Sequence, residues 1–288
     1  MEEIKSYVSS KKEFLKQMVA VKKEIGLAIV QVGDNPASNS YIKGKISDCN
    51  EIGVIPKLLK LEENISEEYL IGLIEHLNSI EDCTGIIVQL PLPKHIDVKR
   101  VQQVISPSKD VDGFNINSEF KPCTPLGVIT YLTNNRYKFE GKKALVIGRS
   151  DIVGKPLAQM LLDKNCTVTI AHSKTSFGDL THYIENADIV FTAINKIEYF
   201  NKDFAPFFEK VPTIIDIGLG RNEYGKLRGN LSAELVEHLK EKGNDVISGI
   251  GGVGLLTRLQ LLANTIKAQP EYKRSKANER DTIETGTR

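Results

Sequence analysis

The sequence predicts an α/β protein of two consecutive domains, the first an α/β unit and the second Rossmann-like. Three observations carry this expectation. Short apolar runs rich in β-branched residues alternate with segments of helical spacing along most of the 288 residues, the pattern of mostly parallel sheets covered on both faces by helices. The stretch Lys142–Ser173 reads as one strand, glycine turn, helix and strand, the opening unit of a dinucleotide-binding domain. A polar segment, Ser106–Pro122, lies between the two halves and is the candidate boundary.

The first half opens with an amphipathic helix around Ser10–Lys23. A strand at Gly26–Val32, a helix at Ala37–Ile52 and a strand at Ile55–Leu61 follow. The helix Ser66–Ile80 begins with Ser66-Glu67-Glu68, where a serine hydroxyl can accept from the free N–H groups of a first turn. The apolar strand Gly85–Leu90 and a short helix at Asp97–Ile105 complete this half. In the second half, Ala144–Ile147 is a strand, Lys155–Lys164 a helix, and Cys166–Ala171 a strand whose β-branched content predicts burial. Further strands are expected at Asp188–Thr192, Thr213–Ile217 and Val246–Ser248, before an apolar helix at Leu255–Ile266. From Gln269 the chain is polar, and a mobile tail is expected.

Composition excludes several classes of function. Lys+Arg is 38 against Asp+Glu of 37, a formal charge of +1, so nothing in the overall charge recommends a nucleic-acid partner. The hydrophobic fraction is 41% and the charged fraction 26%, values of a soluble globular protein. The N-terminus is charged and amphipathic, unlike a signal peptide, and no apolar run reaches spanning length, so no membrane partner is expected. Cys49, Cys83, Cys123 and Cys166 are scattered without a CxxC, which predicts reduced thiols in the cytoplasm and no zinc. The five histidines are equally dispersed, with no HExxH. No metal site is expected.

The turn Gly148-Arg149-Ser150-Asp151-Ile152-Val153-Gly154 has the shape a dinucleotide needs. Gly148 permits a tight turn, Gly154 lets the helix lie close to the strand, and exposed N–H groups at the helix start can face an anion. Ser150 stands where the middle glycine is usual. At the end of the next strand, where an NAD site carries a carboxylate, the chain reads His172-Ser173-Lys174. With Arg149 in the neighbouring turn, this favours a 2′-phosphate, and so NADP over NAD. An ordinary α/β turn without a ligand is the competing reading. Gly249-Ile250-Gly251-Gly252-Val253-Gly254 also matches GxGxxG, but no second strand follows it. It reads equally as a ligand contact and as a glycine-rich joint.

The candidate chemistry lies in the first half. Tyr41, Lys45 and Cys49 are spaced i, i+4, i+8 on one helix face. Cys49 and Ile52 belong to a buried stripe, which sets Lys45 at the edge of a semi-apolar surface. An ammonium there loses hydration, its pKa is expected to fall, and it can transfer protons near neutrality. A lysine that only snorkels at a surface would look the same. Gln89 is expected at the carboxyl end of its strand, where ligands sit in open α/β sheets. Asp110 and Asp112 fall in a turn, for which turn chemistry alone is a sufficient explanation.

In order along the chain, VGDNPAS-x-x-Y-x-x-x-K, VQLPLP, KDVDGF, PCTPLG, GRSDIVGKP and HSKT resemble the bifunctional methylenetetrahydrofolate dehydrogenase/cyclohydrolase family, from about Leu27 to Lys267. The resemblance implies oxidation of 5,10-methylenetetrahydrofolate by NADP and hydrolysis of the methenyl product to 10-formyltetrahydrofolate. It implies folate contacts at Tyr41, Gln89 and Asp112, with Gly251 and Gly252 approaching the substrate, and a catalytic set of Lys45, Gln89, Asp112 and Tyr41. Gly148, Arg149, Ser150, Ser173 and Leu219 match the NADP contacts. It further implies a homodimer, and an active-site cleft between a folate domain (1–118, completed by a helix at about 251–268) and an NADP domain (119–250), with 269–288 as tail.

The chain departs from the family pattern at three places. Asn195-Lys196-Ile197 replaces a Gly-Lys-Pro-like turn, and Asn195 is expected to supply the left-handed conformation. Gly229-Asn230 replaces Gly-Asp. The loop Ser248–Thr257 keeps its glycines but lacks the family's three prolines. Two alternatives follow from these changes: a relative that has lost one activity, and a nucleotide-sensing module without chemistry.

Overall fold

The computed structural model describes residues 2–20, 24–270 and 272; most of the tail from Gln269 lies outside the described residues. The chain forms two compact units. One comprises Val8–Cys123 and the chain from Arg258 on, and the other comprises Met1–Tyr7 and Thr124–Thr257.

In the order of the chain, the elements up to the first boundary are α1 (Glu2–Ala20), β1 (Gly26–Val32), α2 (Pro36–Ile52), β2 (Ile55–Leu61), α3 (Glu67–Ser79), β3 (Cys83–Val88) and α4 (Val98–Val104). They build a three-stranded parallel sheet of order β2-β1-β3. β1 and β3 are buried along almost their whole length, because both of their faces are covered. Ala28, Val30, Ile86 and Val88 pack with Leu70, Ile74 and Leu77 of α3 and Val101 of α4, and Leu27, Ile29 and Ile87 of the alternate face are buried as well. β2 is an edge strand with an alternating exposure pattern. Ser66 caps α3 by accepting from the Tyr69 N–H at 3.1 Å, and Asp97 caps α4. The first helix begins at Glu2, well before the expected Ser10. Ile4 and Val8, one turn apart, are buried, and the polar residues around them masked that stripe; residues 21–23 lie outside the described residues.

The remaining elements are α5 (Cys123–Asn134), β4 (Lys143–Ile147), α6 (Gly154–Leu162), β5 (Thr167–Ala171), α7 (Phe177–Glu185), β6 (Ile189–Thr192), α8 (Ala205–Phe208), β7 (Thr213–Asp216), β8 (Leu219–Arg221), β9 (Leu227–Gly229), α9 (Ala233–Glu241), β10 (Asp245–Ile247) and α10 (Gly254–Lys267). Five parallel strands run in the order β10-β7-β6-β4-β5, and β8 and β9 form a small antiparallel hairpin. Strand order reverses at β4, the topological switch point beside which open α/β sheets bind ligands. The core combines Leu145 and Ile147 of β4 with Val190, Ile214, Ile184, Leu235 and an aromatic group around Phe200 and Phe208. The expectation that Cys166–Ala171 is buried fails. β5 is the sheet edge, Thr167 and Ile170 are exposed, and only its last residue is buried; β-branched content reports strand formation, not position in the sheet.

Candidate active site

The residues expected to contact folate are carried by the segments that follow β1 and β3. α2 starts just beyond β1, with Pro36 at its first position and the Asn35 side chain accepting from the Ser38 N–H. Buried Gln31 donates to Asn39 at 2.7 Å, and Asn39 donates to Asp34. This wiring fixes the entry of the helix and hence the face that carries Tyr41, Lys45 and Cys49. The expected stripe is present, with Cys49 and Ile52 buried. Tyr41, 37% exposed, keeps part of its ring open to solvent, and Lys45 is only 9% exposed. Gln89 directly follows β3, held by its N–H on the Val30 carbonyl at 2.8 Å. The side-chain amide of Gln89 donates to the Leu90 carbonyl at 2.8 Å, which turns its oxygen to accept from Lys45 Nζ at 3.2 Å. The two side chains singled out from sequence thus meet directly.

Asp112 is half-buried in the loop after α4, and its neighbour Asp110 explains why that loop is ordered. Asp110 is fully buried, and its carboxylate accepts from the N–H groups of Gly113 (3.1 Å) and Asn115 (2.7 Å). Burial pushes its pKa up to about 6, against those donors and with help from the Asp112 charge. Gly113, at φ +77°, has no room for a Cβ, which would lie 2.6 Å from the Lys121 carbonyl carbon. The family resemblance points to Asp112, whereas Asp110 is visible in sequence only as turn chemistry, its one cue being a second carboxylate two residues before Asp112. Two buried thiols feel the charge of Lys45. Burial drives Cys49 up to about 12, with Asp48 adding to the shift and Lys45 and Lys12 opposing it. Burial likewise holds Cys123 far above its ordinary range, with Asp112 adding and Lys45 opposing.

The nucleotide-side residues are held mainly by backbone. Gly148 has φ +136°, and a Cβ there would come 2.2 Å from the Ala193 carbonyl oxygen at the end of the adjacent β6; one on Gly154 would come 2.4 Å from the Gly148 carbonyl oxygen. Both glycines are therefore required by close approach. Ser150 corrects one expectation: its Oγ accepts from the N–H groups of Val153 and Gly154, at 3.3 Å each, so these two donors at the start of α6 are not free for an anion. Arg149 is exposed beside it and makes no ion pair among the described residues. In the neighbouring strand, the turn after Ala171 is fixed by the His172 N–H donating to Thr175 Oγ1 at 2.9 Å, which presents Ser173 and Lys174 to solvent. No carboxylate stands in that turn. A glycine cradle at the switch point, with a serine and two cations near the ends of β4 and β5, fits a dinucleotide carrying a 2′-phosphate.

Leu219 opens β8 and packs against Gly249, where a Cβ would lie 2.9 Å from a Leu219 methyl. The glycine loop turns at Gly251, φ +71°, with Ser248 Oγ accepting from the Ile250 N–H at 3.3 Å. Sequence reading missed the support behind this edge. Buried Asp216 accepts from Thr192 Oγ1 (2.8 Å) and from the N–H groups of Asn230 and Leu231 (3.0 and 3.2 Å), and burial raises its pKa to about 6. The Asn230 amide donates to the carbonyls of Ile194 and Lys196 and accepts from the Ile194 N–H, so asparagine here ties down the altered turn. Asn195 is not left-handed as expected; Glu198 takes that conformation instead, at φ +48°.

Comparison with known proteins agrees with both halves. Residues 1–112 match the catalytic domain of tetrahydrofolate dehydrogenase/cyclohydrolase, and residues 122–273 match its NAD(P)-binding domain. The bifunctional protein FolD of Listeria innocua is 42% identical over 261 residues, covering 88% of this chain and 89% of that protein. FolD of Polaromonas naphthalenivorans is 43% identical over 252 residues, 84% of this chain and 87% of that one. The crystal structure of the bifunctional FolD dehydrogenase/cyclohydrolase from Campylobacter jejuni is 38% identical, with a TM-score of 0.83 over 92% of this chain and 96% of that one. The Trypanosoma brucei enzyme, solved with NADP and an inhibitor, is 27% identical, with a TM-score of 0.81 over 94% of this chain and 96% of that one. With both domains matched and curated relatives this similar over most of its length, the chain belongs to the tetrahydrofolate dehydrogenase/cyclohydrolase family.

Proposed function

We propose that this protein oxidises 5,10-methylenetetrahydrofolate to the 5,10-methenyl form with NADP and then hydrolyses that form to 10-formyltetrahydrofolate. The observation that carries the reading is the hydrogen bond between buried Lys45 and half-buried Gln89, which directly follows β3, in a chain of this family. Bound NADP would supply the hydride acceptor. Gly148, Arg149, Ser150, Ser173 and Leu219 would hold it, with Arg149 and Lys174 meeting the 2′-phosphate.

The methenyl carbon is already an electrophile, so its hydrolysis needs an oriented water and a place for a proton. Lys45 takes a proton from the attacking water while Gln89 fixes the amine. As the bond from carbon to N5 breaks, N5 is protonated, and one proton per turnover leaves to solvent. Tyr41 lays its ring along the aminobenzoyl group. Asp112 accepts from the amino group and ring N–H of the pterin and sets the register of the carbon being hydrolysed. Gly251 and Gly252 allow the close backbone approach of the loop to folate. Hydride transfer itself requires positioning and no protein base.

The four cysteines, all free and buried, support a reducing, cytoplasmic setting, and a homodimer is the assembly that the family resemblance implies. No helix among the described residues is long and apolar enough to cross a membrane. The test is a coupled assay with methylenetetrahydrofolate and either cofactor, following NADPH formation and methenyl decay separately. Both activities with NADP are expected; absence of either would identify the chain as a relative that has lost that step.

A further inference from the structure

Asp48 lies three residues after Lys45, one turn further along α2 on the same side, where i,i+3 partners come within reach of each other. It is a buried carboxylate, 5% exposed, and such a group must find a cation or lose its charge. Lys45 is the ammonium nearest to it in the helix. Yet Lys45 donates to the neutral Gln89, and each Asp48 oxygen is engaged by another cation. One oxygen takes Lys12 Nζ of α1 at 2.6 Å, and the other takes Arg258 Nε of α10 at 2.5 Å. Lys12 also reaches Glu51 at 2.6 Å, and its pKa is raised: burial pulls it down, but the bonds to Asp48 and Glu51 prevail.

The helix is built to admit the second of these cations. A Cβ on Gly44, the residue before Lys45, would lie 3.1–3.3 Å from Nη1, Cζ and Nε of Arg258, so the guanidinium sits against the bare backbone there. Glycine in a helix interior costs about 1 kcal/mol relative to alanine, and this one makes room for Arg258. Cys49 on its own helix and Cys123 at the start of α5 also feel the Lys45 charge, Tyr41 stands one turn before Lys45 on the same helix face, and Asp110 and Asp112 of the loop after α4 act on Cys123 in turn.

We propose that Lys12 and Arg258 are positioning residues for Lys45: by holding both oxygens of Asp48, they keep that carboxylate off the amine and leave the amine to Gln89. The inference rests on the reading of Lys45 as the proton-transfer group. An opposite charge within about 4–6 Å stabilises an ammonium, so a Lys45–Asp48 pair would lock Lys45 in the protonated form and remove it as a base.

The test is an NMR titration of the Lys45 side chain in the full chain, labelled at lysine Cε and assigned by the signal lost in Lys45→Met. Wild type is compared with Arg258→Met, Asp48→Asn and the double variant. Arg258→Met should raise the Lys45 midpoint by about 1 pH unit, and the rise should vanish in the Asp48→Asn background. The alkaline shift should reappear in the pH profile of methenyl hydrolysis. An unmoved midpoint in Arg258→Met overturns the proposal. So does an equal rise in the double variant, which would mean that Arg258 acts on Lys45 by its own charge. Lys12→Met gives the same comparison if Arg258→Met does not fold. The titration needs no turnover: a wild type without cyclohydrolase activity would defeat the proposed function, and the NMR result would still decide this point.

Discussion

The folate-side and nucleotide-side residues are held in place by different means. On the proposed folate side, the candidate chemistry is carried by side chains, Tyr41 and Lys45 on a helix and Gln89 just past a strand, each aimed by a hydrogen bond or a buried stripe. On the nucleotide side the candidate site rests on backbone shape, set by glycines whose replacement would collide with carbonyls. Behind each lies a buried aspartate, Asp110 or Asp216, that gathers N–H groups of the supporting loops. A side-chain site should lose one chemical step when altered, whereas a backbone site should lose binding and stability together.

The largest effect is expected where the backbone is most constrained. Gly148→Ala puts a Cβ against the Ala193 carbonyl at φ +136° and should cost about 3 kcal/mol or more of stability, read as a drop in Tm together with weakened NADP binding. Weakened binding at an unchanged Tm would break the contrast. Next, Lys45→Met keeps the apolar stem and removes the amine; cyclohydrolase activity should fall about 10²-fold or more, and dehydrogenase turnover less. Equal losses would make Lys45 a folate-positioning residue instead.

The buried aspartates sharpen the comparison through pH. Asp216 has a folded-state pKa near 6 against an ordinary 3.8, so the folded state binds the proton more tightly than the unfolded one. The stability this group contributes is present below about pH 4 and is lost as pH rises through about 6, by roughly 3 kcal/mol. Denaturant unfolding at stepped pH should show that fall, and Asp216→Asn should flatten it while lowering stability at every pH, since an amide meets three donors there. Asp110 predicts the same window for the other unit.

Ser173→Asp should shift preference from NADP towards NAD by about tenfold in kcat/KM, the equivalent of about 1.4 kcal/mol, as a carboxylate would face the 2′-phosphate. A wild type that works better with NAD would remove the basis of that expectation. The smallest effect is expected at the glycine loop. Ile250 has φ −76°, which proline shares, and it is 38% exposed. Ile250→Pro restores a family residue and forgoes only the 3.3 Å bond to Ser248, so the folate KM should fall a few-fold at most. A raised KM with lower stability would mean that the loop follows a path foreign to proline.

The same contrast decides what the sequence made legible. Periodicity located Gly26–Val32 and Ile55–Leu61 to the residue, and helical spacing put Tyr41 and Lys45 on one face, because local patterns encode local structure. Neither burial of β5 nor the role of Ser150 could be read, since edge position and capping depend on partners distant in sequence. Asp216, and the role of Asn230, which stands out in sequence only as a departure from the family pattern, are illegible for the same reason: their partners at 192–196 lie in another strand and turn. Asp110 was visible only as half of a turn signature. The meeting of Lys45 with Gln89, 44 residues away, was legible through the family resemblance and not through spacing.

The unit that carries Lys45 is discontinuous in the chain, and this bears on its biosynthesis. Asp48 waits for Arg258, and the Val111 carbonyl waits for the buried Asn264 amide, which donates to it at 2.9 Å. A ribosome that has released Cys123 has therefore delivered the sheet of this unit without its closing helix. The nascent chain must carry a half-neutralised carboxylate and an uncovered apolar surface until the rest of the chain has been synthesised. At roughly 5–20 residues per second that interval lasts on the order of ten seconds, during which chaperone binding and aggregation compete with completion of the fold.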